Sequence, residues 1–460
     1  MNGHAPVSAI DPSDARSVPV ASDSIFVSII AYRDPELIHT LRSMFSRAAL
    51  PHRVVAGVVW QGDDADPTDA RVLQDLDALA SSLPAGACLR QLRLSHLEAR
   101  GPCFARALAQ ERLFADESFY LQIDSHMRFA KDWDRMLIEQ WTQCGDDKAV
   151  LTTYPPPYQR DSATEDNTGA AAAASAQIAA ASSSAASAVS SSFSESDPPT
   201  VLCASHFHPS DGMLRICGRL LAASPAAPLR SSFYAAGFAF SPGSSIRAAP
   251  YDRHLQNLFF GEESSMACRL YTAGYSFFTP TCNLLWHCWS RDYRPSFREV
   301  TQGDSKQHRR EQIARHRVRH ILGMKQQTEG DEAASTSSAE AASVHPASLS
   351  VVPSSDDSTD PSLSPSLLVP SAPYGLGSVR SLADFYEMTG VNFSTGEVSE
   401  RARNGGLDPA KFRAQIHASK QQSTTTGTTT AADATNLSQM ELVMQIVRQQ
   451  QQQKAAAARS

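Results

Sequence analysis

Short apolar runs alternate with segments of helical periodicity along the first third of the chain. Residues 25–31 form a run rich in β-branched side chains, which is typical of a buried strand. A proline between two acidic residues at 34–36 suits the first turn of a helix, and apolar residues then recur at helical spacing to Ala48. The same alternation predicts strands at 54–60, 87–94, 119–124 and 149–153 and helices at 70–83, 101–114 and 133–141. This order is typical of βαβ units, so we expect an α/β fold with a mixed, mostly parallel sheet flanked by helices.

The pattern resumes after residue 200 in a less regular form. Residues 233–240 predict a strand of small and aromatic side chains, in which Gly237 permits close approach of another group. A helix is predicted to begin at 261–263, a further strand at 275–278, and an apolar segment at 284–287. These elements and the earlier ones predict one large domain over residues 24–325.

Four stretches lack an apolar face and are predicted to be disordered because they bury too little surface to fold. They are a leader (1–23), an Ala/Ser-rich insert (161–199), a linker (326–370) and a low-complexity tail (416–460). Within the tail, Asn436 is predicted to cap one short helix. Between the linker and the tail, residues 371–415 contain aromatic and glycine signals that predict a compact C-terminal extension.

Composition and charge exclude several classes of function. The 41 Lys and Arg residues against 48 Asp and Glu give a net charge of −7, which argues against a general nucleic-acid binder. No apolar run approaches the roughly 20 residues that span a bilayer, and the leader has no apolar core like that of a secretory signal. The eight cysteines form no C-x-x-C pair, which fits neither a disulfide framework nor a zinc site. We therefore expect a cytoplasmic protein that binds neither nucleic acid nor membrane.

A candidate metal site follows the fourth predicted strand. The dinucleotide fingerprint G-x-G-x-x-G is absent after the first strand, and the chain has no phosphate-binding G-x-x-x-x-G-K-[ST] motif. Ligands of such sheets bind outside the carboxyl ends of the strands, where Asp124, Ser125 and His126 lie. A carboxylate and an imidazole at this position can bind a divalent ion, and the imidazole favours Mn over Mg. An ordinary polar loop after a strand is the alternative interpretation.

Further candidate residues lie downstream. Glu262 and Glu263 begin a predicted helix, where they can either pair with its dipole or face a substrate. His287 follows an apolar run, so it is either a core histidine or a third metal ligand. Arg291 and Arg294 can bind phosphate or remain solvated.

Several motifs in fixed order resemble one enzyme family. They are the Tyr-Arg-Asp turn after 25–31, Arg100-Gly-Pro with Ala105-Arg106, residues 122–129, Gly261-Glu-Glu, Trp286-His287 with Tyr293-Arg294, and residues 374–393. Together they resemble the protist hydroxyproline N-acetylglucosaminyltransferases that modify the adaptor subunit of SCF-type ubiquitin ligases. The resemblance covers residues 25–160, 200–325 and 374–395, interrupted only by low-complexity inserts. The long insert at 161–199 departs from the family pattern.

The resemblance implies a glycosyltransferase-A fold in the catalytic domain and a retaining transfer from UDP-GlcNAc to hydroxyproline of the adaptor protein. It implies a metal, expected to be Mn, held by Asp124, His126 and His287, as also in the similar polypeptide N-acetylgalactosaminyltransferases. Donor binding is assigned to six residues: Tyr32, Arg33 and Asp34, which would line the uridine and ribose, and Arg100, Arg106 and Ser125.

The resemblance gives catalytic roles to the two helix-start glutamates. It favours Glu262 beside the donor sugar, with Glu263 at the helix end. A covalent intermediate on either carboxylate and front-face attack assisted by the leaving diphosphate are both compatible with retention. Two other functions fit the same residues: a metal-dependent transferase or hydrolase acting on another UDP-sugar, and a non-catalytic sugar- or protein-binding module.

Overall fold

The computed structural model describes residues 23–158, 160, 197–291, 293–300, 304–325 and 367–408 of the chain. The tail predicted at 416–460 lies outside these ranges, as does almost all of the leader, insert and linker predicted at 1–23, 161–199 and 326–370. The compact extension predicted at 371–415 is described as far as residue 408.

The strands of the described residues are β1 (Ile25–Tyr32), β2 (Val54–Gly62), β3 (Cys88–Ser95), β4 (Phe119–Asp124), β5 (Met127–Phe129), β6 (Ala149–Thr152), β7 (Thr200–Phe207), β8 (Leu214–Leu220), β9 (Leu229–Ser231), β10 (Phe238–Pro242), β11 (Ser276–Thr279), β12 (Leu285–His287), β13 (Val391–Asn392) and β14 (Glu397–Val398). The helices are α1 (Glu36–Arg47), α2 (Pro67–Ser82), α3 (Pro102–Arg112), α4 (Trp133–Gln143), α5 (Ser244–Ala248), α6 (Glu262–Thr272), α7 (Phe297–Val300), α8 (Ser305–Ile321), α9 (Leu382–Thr389) and α10 (Glu400–Arg403). None of these helices is long and apolar enough to cross a membrane.

The central sheet has the order β3-β2-β1-β4-β10-β6-β11-β9. Strands β3, β2, β1 and β4 are parallel, and β11 is parallel to β6. Strands β10 and β9 run antiparallel to their neighbours. The predicted mixed, mostly parallel sheet is therefore confirmed.

Helices cover both faces of the sheet because side chains of a strand point alternately to opposite sides. In β1, Ile25, Val27 and Ile29 belong to a core cluster that includes residues of α1, α2 and α4. Phe26 points the other way and packs in a cluster with residues of α3. The α/β class and the flanking helices are those expected from the apolar runs.

The strand predicted at 233–240 is wrong in its first half, because β10 begins only at Phe238. The backbone before it bonds to side chains instead of a neighbouring strand. Ala235 N–H donates to Thr152 Oγ1 (2.9 Å), Ala236 N–H donates to Glu263 Oε1 (2.9 Å), and the Ala236 carbonyl accepts from Gln122 Nε2 (2.8 Å). The segment is consequently a loop at the carboxyl end of β4.

The C-terminal segment 367–408 packs against α6, the helix that begins with the two glutamates. The buried guanidinium of Arg269 donates to the carbonyls of Pro250, Pro373 and Gly375. The backbone N–H groups of residues 379 and 380 both donate to the carbonyl of Thr272, which satisfies an acceptor at the helix end. This segment thus fixes the position of α6.

Candidate metal centre and its surroundings

Asp124, His126 and His287 meet at the carboxyl end of β4. Asp124 is the last residue of that strand, and His126 lies in the turn to β5. Strand β12 pairs antiparallel with β5 so that His287 lies opposite Met127, and Cys288 N–H donates to the carbonyl of His126 (3.0 Å). One ligand atom of each of the three residues lies within 4.8 Å of the others. The family resemblance had already grouped these three residues, and the pairing of β12 with β5 is what brings His287 to the other two.

The three candidate metal ligands suit a divalent ion of intermediate softness, because they combine one carboxylate with two imidazoles. Burial lowers the pKa of His287 to about 4, so the imidazole is neutral near pH 7, which is the form that binds a metal ion. Burial opposes ionisation of Asp124, but the hydrogen bond from His287 and the charge of Arg106 hold the pKa of its carboxyl well below the usual range. The carboxylate is therefore ionised, as a metal ligand must be.

Asp34 orients His126 through a hydrogen bond to the ring nitrogen Nδ1. Its fully buried carboxylate lies 2.8 Å from His126 Nδ1 and accepts from the hydroxyls of Ser125 (2.6 Å) and Tyr293 (3.1 Å). A carboxylate on Nδ1 fixes that nitrogen as the protonated one and leaves Nε2 for a metal, the usual arrangement behind histidine ligands. Among the six residues predicted to bind the donor, Asp34 and Ser125 thus face each other instead of the open rim.

Tyr32 and Arg33 lie along the rim at the end of β1. The Tyr32 ring meets that of Phe297 edge-on, with centroids 5.3 Å apart. Arg33 and Arg294 both pair with Asp69, at 2.7 and 2.9 Å, and this carboxylate joins the turn after β1 to the segment that follows His287. The predicted Arg100 lies at the start of α3, with its guanidinium over the ring of Phe104.

Arg106 links the metal ligands to the first glutamate of α6. Its side chain is 4% exposed, and its guanidinium donates to Asp124 Oδ1 (2.9 Å) and to Glu262 Oε1. A planar guanidinium that bonds two carboxylates holds both in fixed positions. Glu262, itself 6% exposed, is thereby held beside the metal ligands.

Glu263 has a different environment. Its carboxylate accepts from the hydroxyl of Tyr154 (2.6 Å) and from Ala236 N–H (2.9 Å), and the residue remains partly exposed. Burial raises the pKa of Glu263 to about 7, although these two hydrogen bonds act in the opposite direction. The two consecutive glutamates thus have separate partners, as expected from their divergence around the helix axis.

The variant Glu263→Gln is expected to lose part of the pH dependence of stability. Because folding raises the pKa of Glu263 from 4.5 to about 7, the folded protein holds a proton that the unfolded chain has released between these values. The free energy of unfolding of the wild type should therefore fall as the pH rises from about 4.5 to about 7. The glutamine variant lacks this loss and should be more stable than the wild type by roughly 1–3 kcal/mol at high pH.

Urea denaturation of both proteins across this pH range measures the effect. Glu139→Gln, an exposed glutamate on α4, is the matched control and should follow the wild type. Parallel curves for the wild type and Glu263→Gln would show that Glu263 ionises normally.

Sequence reasoning missed two aromatic neighbours of the site. Tyr154 follows β6 at the carboxyl end of the sheet, so the rule that ligands bind at that end was the available signal. The Trp289 ring lies 4.2 Å from that of His287, two residues along the chain. The expectation of close approach at Gly237 is met, because a Cβ there would lie 2.8 Å from Asp124 Oδ2.

Residues 24–88, 80–186 and 187–395 match the model of a protein family described as glycosyltransferase (GlcNAc). Comparison with curated protein sequences finds no match.

Three solved structures illustrate which folds this structure is similar to. GalNAc-T7 with UDP, GalNAc and Mn²⁺ has a TM-score of 0.42 and 13% identity, over 65% of this chain and 48% of that one. The mannosyltransferase PcManGT of Pyrobaculum calidifontis with GDP-Man and Mn²⁺ has a TM-score of 0.36 and 11% identity, over 70% of this chain and 72% of that one. Staphylococcus aureus TarS 1–349 with UDP-GlcNAc has a TM-score of 0.36 and 12% identity, over 68% of this chain and 69% of that one. The chain thus spans about half the length of the GalNAc-T7 structure.

Proposed function

This chain belongs to the glycosyltransferase (GlcNAc) family, and we propose that it transfers N-acetylglucosamine from UDP-GlcNAc to hydroxyproline of a cytoplasmic protein. The observation that supports transfer chemistry is the grouping of Asp124, His126 and His287 beside the Arg106–Glu262 pair. The hydroxyproline acceptor, and the SCF adaptor subunit as the protein that contains it, rest on the family resemblance of the sequence motifs.

Asp124, His126 and His287 would hold a divalent ion, which we propose to be Mn. When bound, such an ion supplies positive charge that stabilises the departing nucleoside diphosphate. Asp34 contributes by fixing the tautomer and the direction of His126, so we assign it, together with Ser125, a positioning role.

Arg106 is proposed to add a fixed cation on the donor side of the site. Its contact with Asp124 supports a position next to the diphosphate or the donor sugar. Glu262, as the partner of this cation, is proposed to lie beside the donor sugar. Tyr32 and Arg33 remain the proposed contacts of the uridine and ribose, and Arg100 a donor-side residue at the start of α3.

We propose front-face attack as the route to retention. A covalent intermediate needs a carboxylate free to reach the anomeric carbon. Arg106 bonds one oxygen of Glu262, and Tyr154 and Ala236 N–H bond the two oxygens of Glu263. In the front-face route the acceptor oxygen bonds the anomeric carbon as the bond from that carbon to the diphosphate oxygen breaks. The electron pair stays on the diphosphate, which takes the hydroxyl proton.

Release of UDP from a panel of UDP-sugars tests the proposal. We expect turnover with UDP-GlcNAc and Mn, stimulation by a hydroxyproline peptide, and none in EDTA until Mn is restored. Turnover with a different UDP-sugar alone would favour another transferase of the same family. Binding of UDP-sugars without any turnover would favour a non-catalytic module.

A further inference from the structure

Six groups beside the metal centre contact one another in a closed circle. We call this circle of groups the sugar ring site. Its members are Asp124, His287, Trp289, Tyr154, Glu263 and the backbone of 236–237. Each member contacts the next. On one side, Asp124 Oδ2 lies 3.2 Å from His287 Nε2, and the rings of His287 and Trp289 have centroids 4.2 Å apart.

The far side of the sugar ring site is formed by Tyr154 and Glu263. The Tyr154 ring meets that of Trp289 edge-on, with centroids 6.0 Å apart, and its hydroxyl donates to Glu263 Oε2 (2.6 Å). Ala236 N–H donates to the other carboxylate oxygen (2.9 Å), and the next residue, Gly237, lies against Asp124. Asp124, Tyr154, Trp289 and Glu263 all remain partly exposed, so four of the six members retain contact with solvent.

The composition of the site suits a sugar. Aromatic side chains provide apolar contact for the C–H face of a pyranose, while a few fixed polar groups bond its hydroxyls. Glu263 and Tyr154 are such a pair, because their mutual bond and the Ala236 N–H hold both groups in place. Glu262 does not offer the same opportunity, since it is almost fully buried against Arg106.

Position also favours the transferred sugar as the occupant. The sugar of a UDP-sugar is joined to the phosphate that the metal would hold, so it must lie within a few bond lengths of the metal ligands. Asp124 belongs both to the metal ligands and to the sugar ring site, where its neighbours are His287 on one side and Gly237 on the other. A sugar that extends from the metal over the sugar ring site brings the hydroxyls farthest from its diphosphate, which we call the outer hydroxyls, to Glu263 and Tyr154.

Taking the proposed function as the premise, we propose that Glu263 and Tyr154 bind the outer hydroxyl groups of the transferred sugar and thereby select the donor. A site built to bond a particular hydroxyl discriminates strongly against a sugar that presents that hydroxyl elsewhere, because its polar groups are then left without partners. The proposal assigns selection to the second glutamate of the pair and to a tyrosine more than 100 residues away in sequence.

Donor selection by Glu263→Gln and Tyr154→Phe tests this inference. Initial rates are measured with UDP-GlcNAc, UDP-GalNAc and UDP-glucose, with UDP affinity measured by calorimetry. Each variant should lose at least about tenfold in the ratio of kcat/KM for the preferred donor to that for its C4 epimer. UDP affinity should stay within about twofold, because neither residue is placed at the nucleotide. Glu139→Gln, a matched loss of one exposed carboxylate, should leave the ratio unchanged.

The outcomes separate the two proposals. An active wild type with the same donor ratio in both variants would overturn this inference and leave the proposed function intact. Loss of UDP affinity in parallel with activity would also overturn it, because the residues would then support the nucleotide site or the fold. A wild type that turns over no UDP-sugar would overturn both.

Discussion

Replacing Asp124 with alanine is expected to lower turnover by about a thousandfold or more while the protein stays folded. Asp124 is the ligand that contacts both His287 and Arg106, so its removal takes the carboxylate from the metal set and one partner from the cation. Stabilisation of the leaving diphosphate by a bound ion amounts to several kcal/mol, and about 4 kcal/mol corresponds to a thousandfold in rate. The loss of stability should be smaller than for a fully buried pair, because the Asp124 side chain is 29% exposed and Arg106 keeps its bond to Glu262.

Metal affinity distinguishes this effect from a general loss of structure. Calorimetric titration with Mn should show binding to the wild type and none to Asp124→Ala. Asp34→Asn is the graded comparison, because it keeps all three ligands and alters the carboxylate that orients His126 and also accepts from Ser125 and Tyr293. It should weaken metal binding by about 10- to 100-fold. Normal Mn-dependent turnover in Asp124→Ala would refute the assigned centre.

Replacing Arg106 with methionine is expected to abolish activity and also to destabilise the fold. The substitution leaves the buried Glu262 without its cation, and breaking one side of a buried ion pair costs about 3–5 kcal/mol. It also removes the cation next to Asp124. The free energy of unfolding in urea and the rate of UDP release should therefore fall together.

The double variant Arg106→Met with Glu262→Leu separates the two effects. Removing both charges should restore most of the stability, because an apolar pair of similar volume is tolerated in place of a buried ion pair. Activity should stay as low as in the single variant, because the donor-side cation and carboxylate are both gone. Recovery of turnover in the double variant would show that the pair serves only the fold.

The strands and helices of the first half followed from sequence because each is specified locally. The β-branched run at 25–31 and the helical spacing after it leave little choice of conformation, and β1 and α1 form where expected. The segment before Phe238 differs because its backbone bonds to Thr152, Gln122 and Glu263, side chains that are distant in sequence. No local pattern contains that information.

The candidate site divides in the same way. Asp124 and His126 follow a recognisable strand, so their position at the rim could be predicted from the sequence. The orientation of His126 by Asp34, the pairing of Arg106 with Glu262 and that of Tyr154 with Glu263 join residues 92, 156 and 109 positions apart. The sequence prediction placed Asp34 along the uridine and ribose, and its contacts with His126 and Ser125, 92 and 91 positions away, were not visible in the sequence.

Transfer of the sugar to a peptide tests the central claim most directly. Two peptides that differ only in hydroxyproline against proline are incubated with the full chain, UDP-GlcNAc and Mn, and their masses are measured before and after. We predict that the hydroxyproline peptide alone gains the mass of one N-acetylhexosamine, that EDTA prevents the gain, and that Asp124→Ala shows none. An unmodified hydroxyproline peptide in the presence of active UDP release, or equal modification of the proline peptide, would contradict the proposed acceptor.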